Sequence, residues 1–286
     1  MKKILFTSVF IVSTLIFCIF SVYFAYAANQ ENILATNAEL TDKTNRVLSI
    51  LEKNSVKSDS AVPFSTAKNE NYSIVQKENE ISKKSFYNVK SENYSFNYTS
   101  DTLELVNIFN TSNNFGNIST ADESSAREFI LGMYSELSLP VGYELTYLAK
   151  LDDSLWEADF SQKYGDIYNK YESVKIFFSP DLQEIAALTI FNEKAVVSAR
   201  STTISETDAR NIVIETLNVP SDKILSVSQG FERANGLYSN ETLDLTKKVY
   251  NVWIVNYEFE NTTANCFIDI NSGNIIGGAI QKWDIL

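Results

Sequence analysis

Apolar and polar positions are patterned most clearly near the end of the chain. Val249 to Phe259 (Val-Tyr-Asn-Val-Trp-Ile-Val-Asn-Tyr-Glu-Phe) is rich in β-branched and aromatic residues, and Asn261-Thr262-Thr263 then supplies turn chemistry. A second run, Cys266 to Ile270, meets Asn271-Ser272-Gly273-Asn274 and leaves as Ile275-Ile276, which predicts a tight hairpin. Both faces of the first strand are apolar: Trp253, Val255, Tyr257 and Phe259 lie on one, and Tyr250, Val252 and Ile254 on the other. A helix on a small sheet covers one face only, so the second face is expected to meet another domain, a second subunit or a partner. Tyr250, Val252 and Ile254 are therefore the candidate partner surface.

Upstream, Tyr94, Phe96 and Tyr98 alternate with polar residues, Thr99-Ser100-Asp101 turns the chain, and Leu103 to Phe109 returns. Thr120-Ala121-Asp122-Glu123 opens a helix with Thr120 as the expected cap. Ala126, Phe129, Ile130, Met133 and Leu137 form its apolar stripe, and Pro140 and Gly142 stop it. Strands are expected at about Tyr143–Leu148, Leu155–Gln162, Ser173–Ser179 and Glu184–Phe191. The order then recurs. Ser205-Glu206-Thr207-Asp208 caps a helix carrying Ala209, Ile212, Val213 and Leu217, Pro220 ends it, and strands follow from Ile224 onward. The fold class implied is α+β, with two repeated units of one helix on a small antiparallel sheet and a period of roughly 85 residues.

The front of the chain differs. Lys2-Lys3, an uncharged apolar run from Ile4 to Phe24 and Ala25-Tyr26-Ala27 read as a signal peptide over 1–27, or as a retained anchor, because residues 4–24 could span a bilayer. Residues 28–90 read as a stalk: a helical pattern from Glu31 to Lys57 (Ile33, Leu40 and Val47 seven apart), then a polar linker from Ser58 to Lys90. The expected boundaries are 91–198 for the first unit with its leading hairpin and 199–286 for the second. The expected location is extracytoplasmic, secreted or membrane-anchored.

Charge and rare residues narrow the chemistry. Lys+Arg of 24 against Asp+Glu of 36 gives a net charge of −12, which disfavours nucleic acid. The chain has no histidine, so Ser-His-Asp and Cys-His centres and imidazole-based zinc sites are excluded. Of two cysteines, Cys18 lies in the apolar run and Cys266 in a strand, where it reads as a small core residue. Glu157 and Asp159 share one strand face and could form an acid/base pair, although a solvated face explains them as well. Asp152-Asp153, Asp166, Asp269, Asn271 and Asn274 fit turn chemistry better than calcium ligation. The Asn-x-Ser/Thr triplets at Asn71, Asn93, Asn97, Asn110, Asn117, Asn240 and Asn261 fit chance in an Asn-rich chain. No cofactor or metal site is indicated.

The Asp208-Ala209 helix start, the Tyr-x-Val-Trp-x-Val strand (Tyr250, Val252, Trp253, Val255) and the Ile-Asp-x-x-x-Gly-x-Ile hairpin (Ile268, Asp269, Gly273, Ile275) together resemble the PepSY domain. The match is good over Ser205–Ile280 and weaker over Thr120–Phe191, whose hairpin lacks the glycine. The resemblance implies a bacterial, non-catalytic module that binds or restrains a secreted or cell-surface protein. The other expectations are a carboxylate-based cell-wall hydrolase using Glu157 and Asp159, and a sensor domain regulating a membrane kinase.

Overall fold

A computed structural model describes residues 32–53, 72–78, 84–112, 115, 119–152, 154–195, 203–235, 248–260 and 262–281. The expected signal or anchor segment lies outside the described residues, and none of the described helices is long and apolar enough to cross a membrane. The architecture is α+β, with antiparallel strands. It divides into two compact units, one holding the described residues to 112 with 182–184 and the other holding the rest.

In the first unit, helix α1 (residues 32–53) precedes β1 (Ser73–Glu78), β2 (Ser85–Lys90), β3 (Tyr94–Thr99) and β4 (Leu105–Asn110), which pair as neighbours in that order. The alternation in β3 is realised: Tyr94, Phe96 and Tyr98 are buried, and Ser95, Asn97 and Thr99 are on the other face. On α1 the buried positions are Leu40, Thr44, Leu48 and Leu51, whereas Ile33 and Leu34 are exposed. The heptad reading is thus corrected to a stripe spaced by three and four residues. Thr44 sits within it because its hydroxyl bonds the Tyr98 hydroxyl at 3.0 Å, and burial pushes that phenol up to about 12.

The expected linker over 58–90 is corrected too, since it contains β1 and β2. β1 was hidden because it is exposed along almost its whole length and is held by its backbone ladder to β2 rather than by an apolar face. The leading hairpin, β3 and β4, belongs with these strands and not with the elements that follow.

The second unit holds α2 (Glu123–Glu136), β5 (Tyr143–Lys150), β6 (Trp156–Tyr164), β7 (Ile167–Ser179) and β8 (Glu184–Asn192), the strands in spatial order β8-β7-β6-β5. Next come α3 (Glu206–Leu217), β9 (Ile224–Arg233), β10 (Val249–Phe259), β11 (Thr262–Asp269) and β12 (Ile275–Gln281), in order β12-β11-β10-β9. The N-cap of α2 is Asp122 rather than Thr120: its carboxylate accepts the Ser125 N–H at 2.8 Å. Ala126, Ile130 and Met133 are buried, Phe129 lies 5.6 Å from Phe178, and Tyr134 stacks on Phe160 at 4.1 Å. Ser205 caps α3 as expected, with Asp208 completing a capping box. Asn218, in the left-handed conformation, ends α3 two residues before Pro220. Ala209 and Val213 are buried among Val255, Tyr257, Ala264, Cys266 and Ile268, with Ile212, Leu217 and Trp253 partly buried around them. The Trp253 indole N–H donates to the Ile204 carbonyl at 3.1 Å.

Candidate functional site

The β10 faces divide as their alternation dictates. Val255 and Tyr257 turn to α3, and Val252 packs on the opposite side with Phe267 and Ile276, flanked by Ala234, Tyr250 and Ile254. Register explains the partners, since Ile254 lies opposite Phe267 on β11 and opposite Ser228 on β9. Ile254 leans over Gly230, where an added Cβ would sit 2.7 Å from its Cδ1. The three proposed contact residues therefore do not play one role. Val252 is 0% exposed and is floor rather than surface, while Tyr250 and Ile254 are half-buried and present atoms to solvent.

Part of this face is covered by the chain itself. After β9, Ala234 joins the apolar cluster, and Asn235 reaches the last strand. Its backbone N–H donates to the Ile276 carbonyl at 3.0 Å, its side-chain amide donates to the Gly278 carbonyl at 2.5 Å, and its Oδ1 accepts the Gly278 N–H at 3.0 Å. Gly277 lacks a side chain where Asn235 crosses; a Cβ there would lie 2.3 Å from Asn235 Oδ1.

The Glu157 and Asp159 carboxylates share one face of β6, as their spacing predicts, but Lys175 of β7 stands between them. Its ammonium is paired with Glu157 Oε1 and lies 3.1 Å from Asp159 Oδ1, Asp159 being directly opposite it across the ladder. Burial raises the Asp159 carboxyl above the usual range, opposed by its hydrogen bond and attraction to Lys175 and reinforced by the Glu157 charge. Lys175 itself is held above its ordinary value, because bonds to both carboxylates outweigh its burial. One cation between two anions is a cross-strand lock.

A second polar cluster, which no sequence pattern marks, lies where β7 meets β9. Glu172, 3% exposed, accepts bonds from the Tyr164 hydroxyl at 2.5 Å and the Asn169 amide at 2.9 Å. Glu232 takes the Lys170 ammonium at 2.7 Å and the Tyr171 hydroxyl at 3.2 Å; Arg233 pairs with Glu193 and lies 4.7 Å from the centre of the Tyr171 ring. These residues are close because β7 bulges over Lys170–Glu172, between the pairs Gln162–Asn169 and Ser161–Ser173, and packs there against β9. No periodicity encodes that. Three further acids are turn and cap devices: Asp152 accepts from Ser154 and Leu155, Asp181 from Ser119 and Thr120, and Asp269 from Asn271 and Ser272. Among the described residues, no three acidic or cysteine side chains are grouped to hold a metal ion. Cys266 is buried and free, its thiol pushed up to about 12 by desolvation.

No family model matches the chain. No curated protein matches it. Among solved structures it is similar to the Bacillus megaterium YpeB C-terminal domain, at 12% identity and a TM-score of 0.46, with 84% of this chain and 96% of that chain covered.

Proposed function

We propose that this is an extracytoplasmic, non-catalytic binding or regulatory protein, built on two PepSY-like units, that holds or restrains another protein of the cell envelope. The observation that carries this reading is the β9–β12 face away from α3. A buried apolar floor of Val252, Phe267 and Ile276 there leaves Tyr250 and Ile254 half-exposed at its margin, which is the make-up of an interface core with accessible anchors. The repeated order of helix and four-strand meander supports the tandem reading. A photo-crosslinking residue placed at Tyr250 or Ile254 in the native envelope should yield one dominant protein adduct. The same residue at Tyr147, exposed on β5, should not. Equal or absent adducts at all three positions would end this reading.

The hydrolase reading keeps one supporting observation, the raised Asp159 carboxyl beside Glu157, which is what a general acid requires. Turnover of cell-wall glycan by the chain, abolished by Glu157→Gln, would establish it in place of the binding reading.

A further inference from the structure

The first unit carries a second open feature, on the sheet face away from α1. Between the start of β2, the β3–β4 turn and β4 lies a depression of about 540 Å³, within the roughly 300–1,000 Å³ typical of small-ligand clefts. Its apolar wall is Phe86 and Val106, its polar wall is Asn97 and Asn107, and its rim holds one charge of each sign, Lys84 and Asp101. Register sets the polar wall, since Asn97 of β3 lies opposite Asn88 on one side and Asn107 on the other.

The amide orientations follow from hydrogen bonds. Asn88, 6% exposed, donates through Nδ2 to Asn97 Oδ1 at 2.8 Å and to Ser95 Oγ at 2.9 Å. With its oxygen so engaged, Asn97 presents Nδ2 to the depression as a fixed donor. The Asn107 side chain has no hydrogen-bond partner among the described residues and offers a donor and an acceptor. Asp101 uses Oδ1 on the Thr102 N–H at 2.9 Å, which leaves Oδ2 as an acceptor.

We infer that this depression binds an uncharged glycan. Alternating donors and acceptors beside an aromatic ring suit a pyranose, whose hydroxyls donate and accept and whose C–H face is apolar. Opposite charges on the rim favour no net charge in the ligand, and a polyanion is opposed by the chain's −12. An extended peptide is a poorer fit, because the backbone groups of β3 are already used in ladders to β2 and β4 and no strand edge opens here.

The test is calorimetric titration and saturation-transfer NMR on the full chain with three probes: chitotetraose, cellotetraose and a neutral eight-residue peptide. Binding of at least one tetrasaccharide is expected, with the peptide silent. Asn107→Leu should weaken it about 3- to 10-fold, the loss of one or two hydrogen bonds, without changing the melting temperature, since that amide has no partner to lose among the described residues. Phe86→Ala should weaken it about 10-fold or more. If Phe86→Ala fails to fold, Asn107→Leu decides. Ile254→Asp should leave glycan binding unchanged, which separates this site from the β10 face. Silence of both sugars, binding of the peptide alone, or an unchanged affinity in Asn107→Leu would overturn the inference.

Discussion

The two four-strand meanders of the second unit have the same element order but opposite chemistry on their helix-free faces. Under α2, the β6–β7 face away from the helix carries Glu157, Asp159 and Lys175; under α3, the equivalent face of β10–β12 carries Val252, Phe267 and Ile276. Their helix-facing sides are alike in kind: Phe160, Val174, Ile176 and Phe178 in one, Val255, Tyr257, Cys266 and Ile268 in the other, all fully or nearly fully buried. Because successive residues of a strand point to opposite faces, one alternate set can fix the fold while the other varies freely. In this protein the fold resides in the shared set, and the distinction between the two halves lies in the other.

The helix-facing sets should therefore dominate stability. Phe160→Ala removes a ring that is 2% exposed and stacked on Tyr134, so a loss of about 3–5 kcal/mol is expected in urea unfolding. Trp253→Ala, in the other half, loses a partly buried ring and one hydrogen bond, and about 2–4 kcal/mol is expected. Equal or reversed costs would show that Trp253 contributes more to the α3-facing core than its partial burial implies.

Lys175→Met tests the charged face. It leaves two half-buried carboxylates facing each other, and about 1–3 kcal/mol should be lost at neutral pH, less than for a fully buried pair. The pH dependence has a definite sign. The folded Asp159 carboxyl is already raised by burial, so its protonation favours the folded state, and that contribution is lost as pH rises through its folded value. Removing Lys175 raises the carboxyl further. The deficit of the variant, read from melting temperatures, should therefore shrink as pH falls through the carboxylate range. A deficit that stayed constant on acidification would mean that Lys175 acts by packing its methylenes rather than by charge.

Much of this arrangement was legible in the sequence. Tyr94, Phe96 and Tyr98, the Ala126 to Leu137 stripe, the Ser205 cap and both faces of β10 came from periodicity and cap chemistry, because those residues are placed by their own strand or helix. What was not legible depends on distant parts of the chain. Thr44 is a polar residue in the buried stripe of α1, and its place there is set by the Tyr98 hydroxyl, distant in the chain. β1 has no apolar face to announce it. Lys175 bridges Glu157 and Asp159 only through the β6–β7 register, and Asn97 meets Asn88 and Asn107 only across two ladders. Val252 was placed on the correct face, yet its full burial followed from Phe267, Ile276 and Ala234, which no local pattern assigns to it.

On the apolar outer face, Gly230 and Ile254 form a coupled pair. Gly230→Ala forces the end of the Ile254 side chain to move, and a cost of about 1 kcal/mol is expected. Ile254→Ala removes the obstacle, so the double variant should be more stable than the two single costs predict, by about 0.5–1 kcal/mol of coupling in a double-mutant cycle. Simple additivity would mean that Ile254 already swings clear of Gly230 and that this face is looser than its floor.

The smallest expected effects have opposite signs in two turns. The β7–β8 turn places Gln183 at φ 51°, and the β11–β12 turn places Gly273 at φ 76°. A residue with a Cβ is strained in this left-handed region, whereas glycine enters it freely but loses more backbone freedom on folding. Gln183 is exposed, so Gln183→Gly removes the strain with little lost contact and should stabilise by up to about 1 kcal/mol. At Gly273 an added Cβ would find ordinary distances, 3.6 Å to Ile204 and 3.7 Å to Ile212, so the cost of Gly273→Ala comes from the backbone alone, about 1 kcal/mol. Thermal melts of the two variants side by side should shift in opposite directions. A downward shift for Gln183→Gly would show that the flexibility added to the unfolded chain outweighs the strain relieved in that turn.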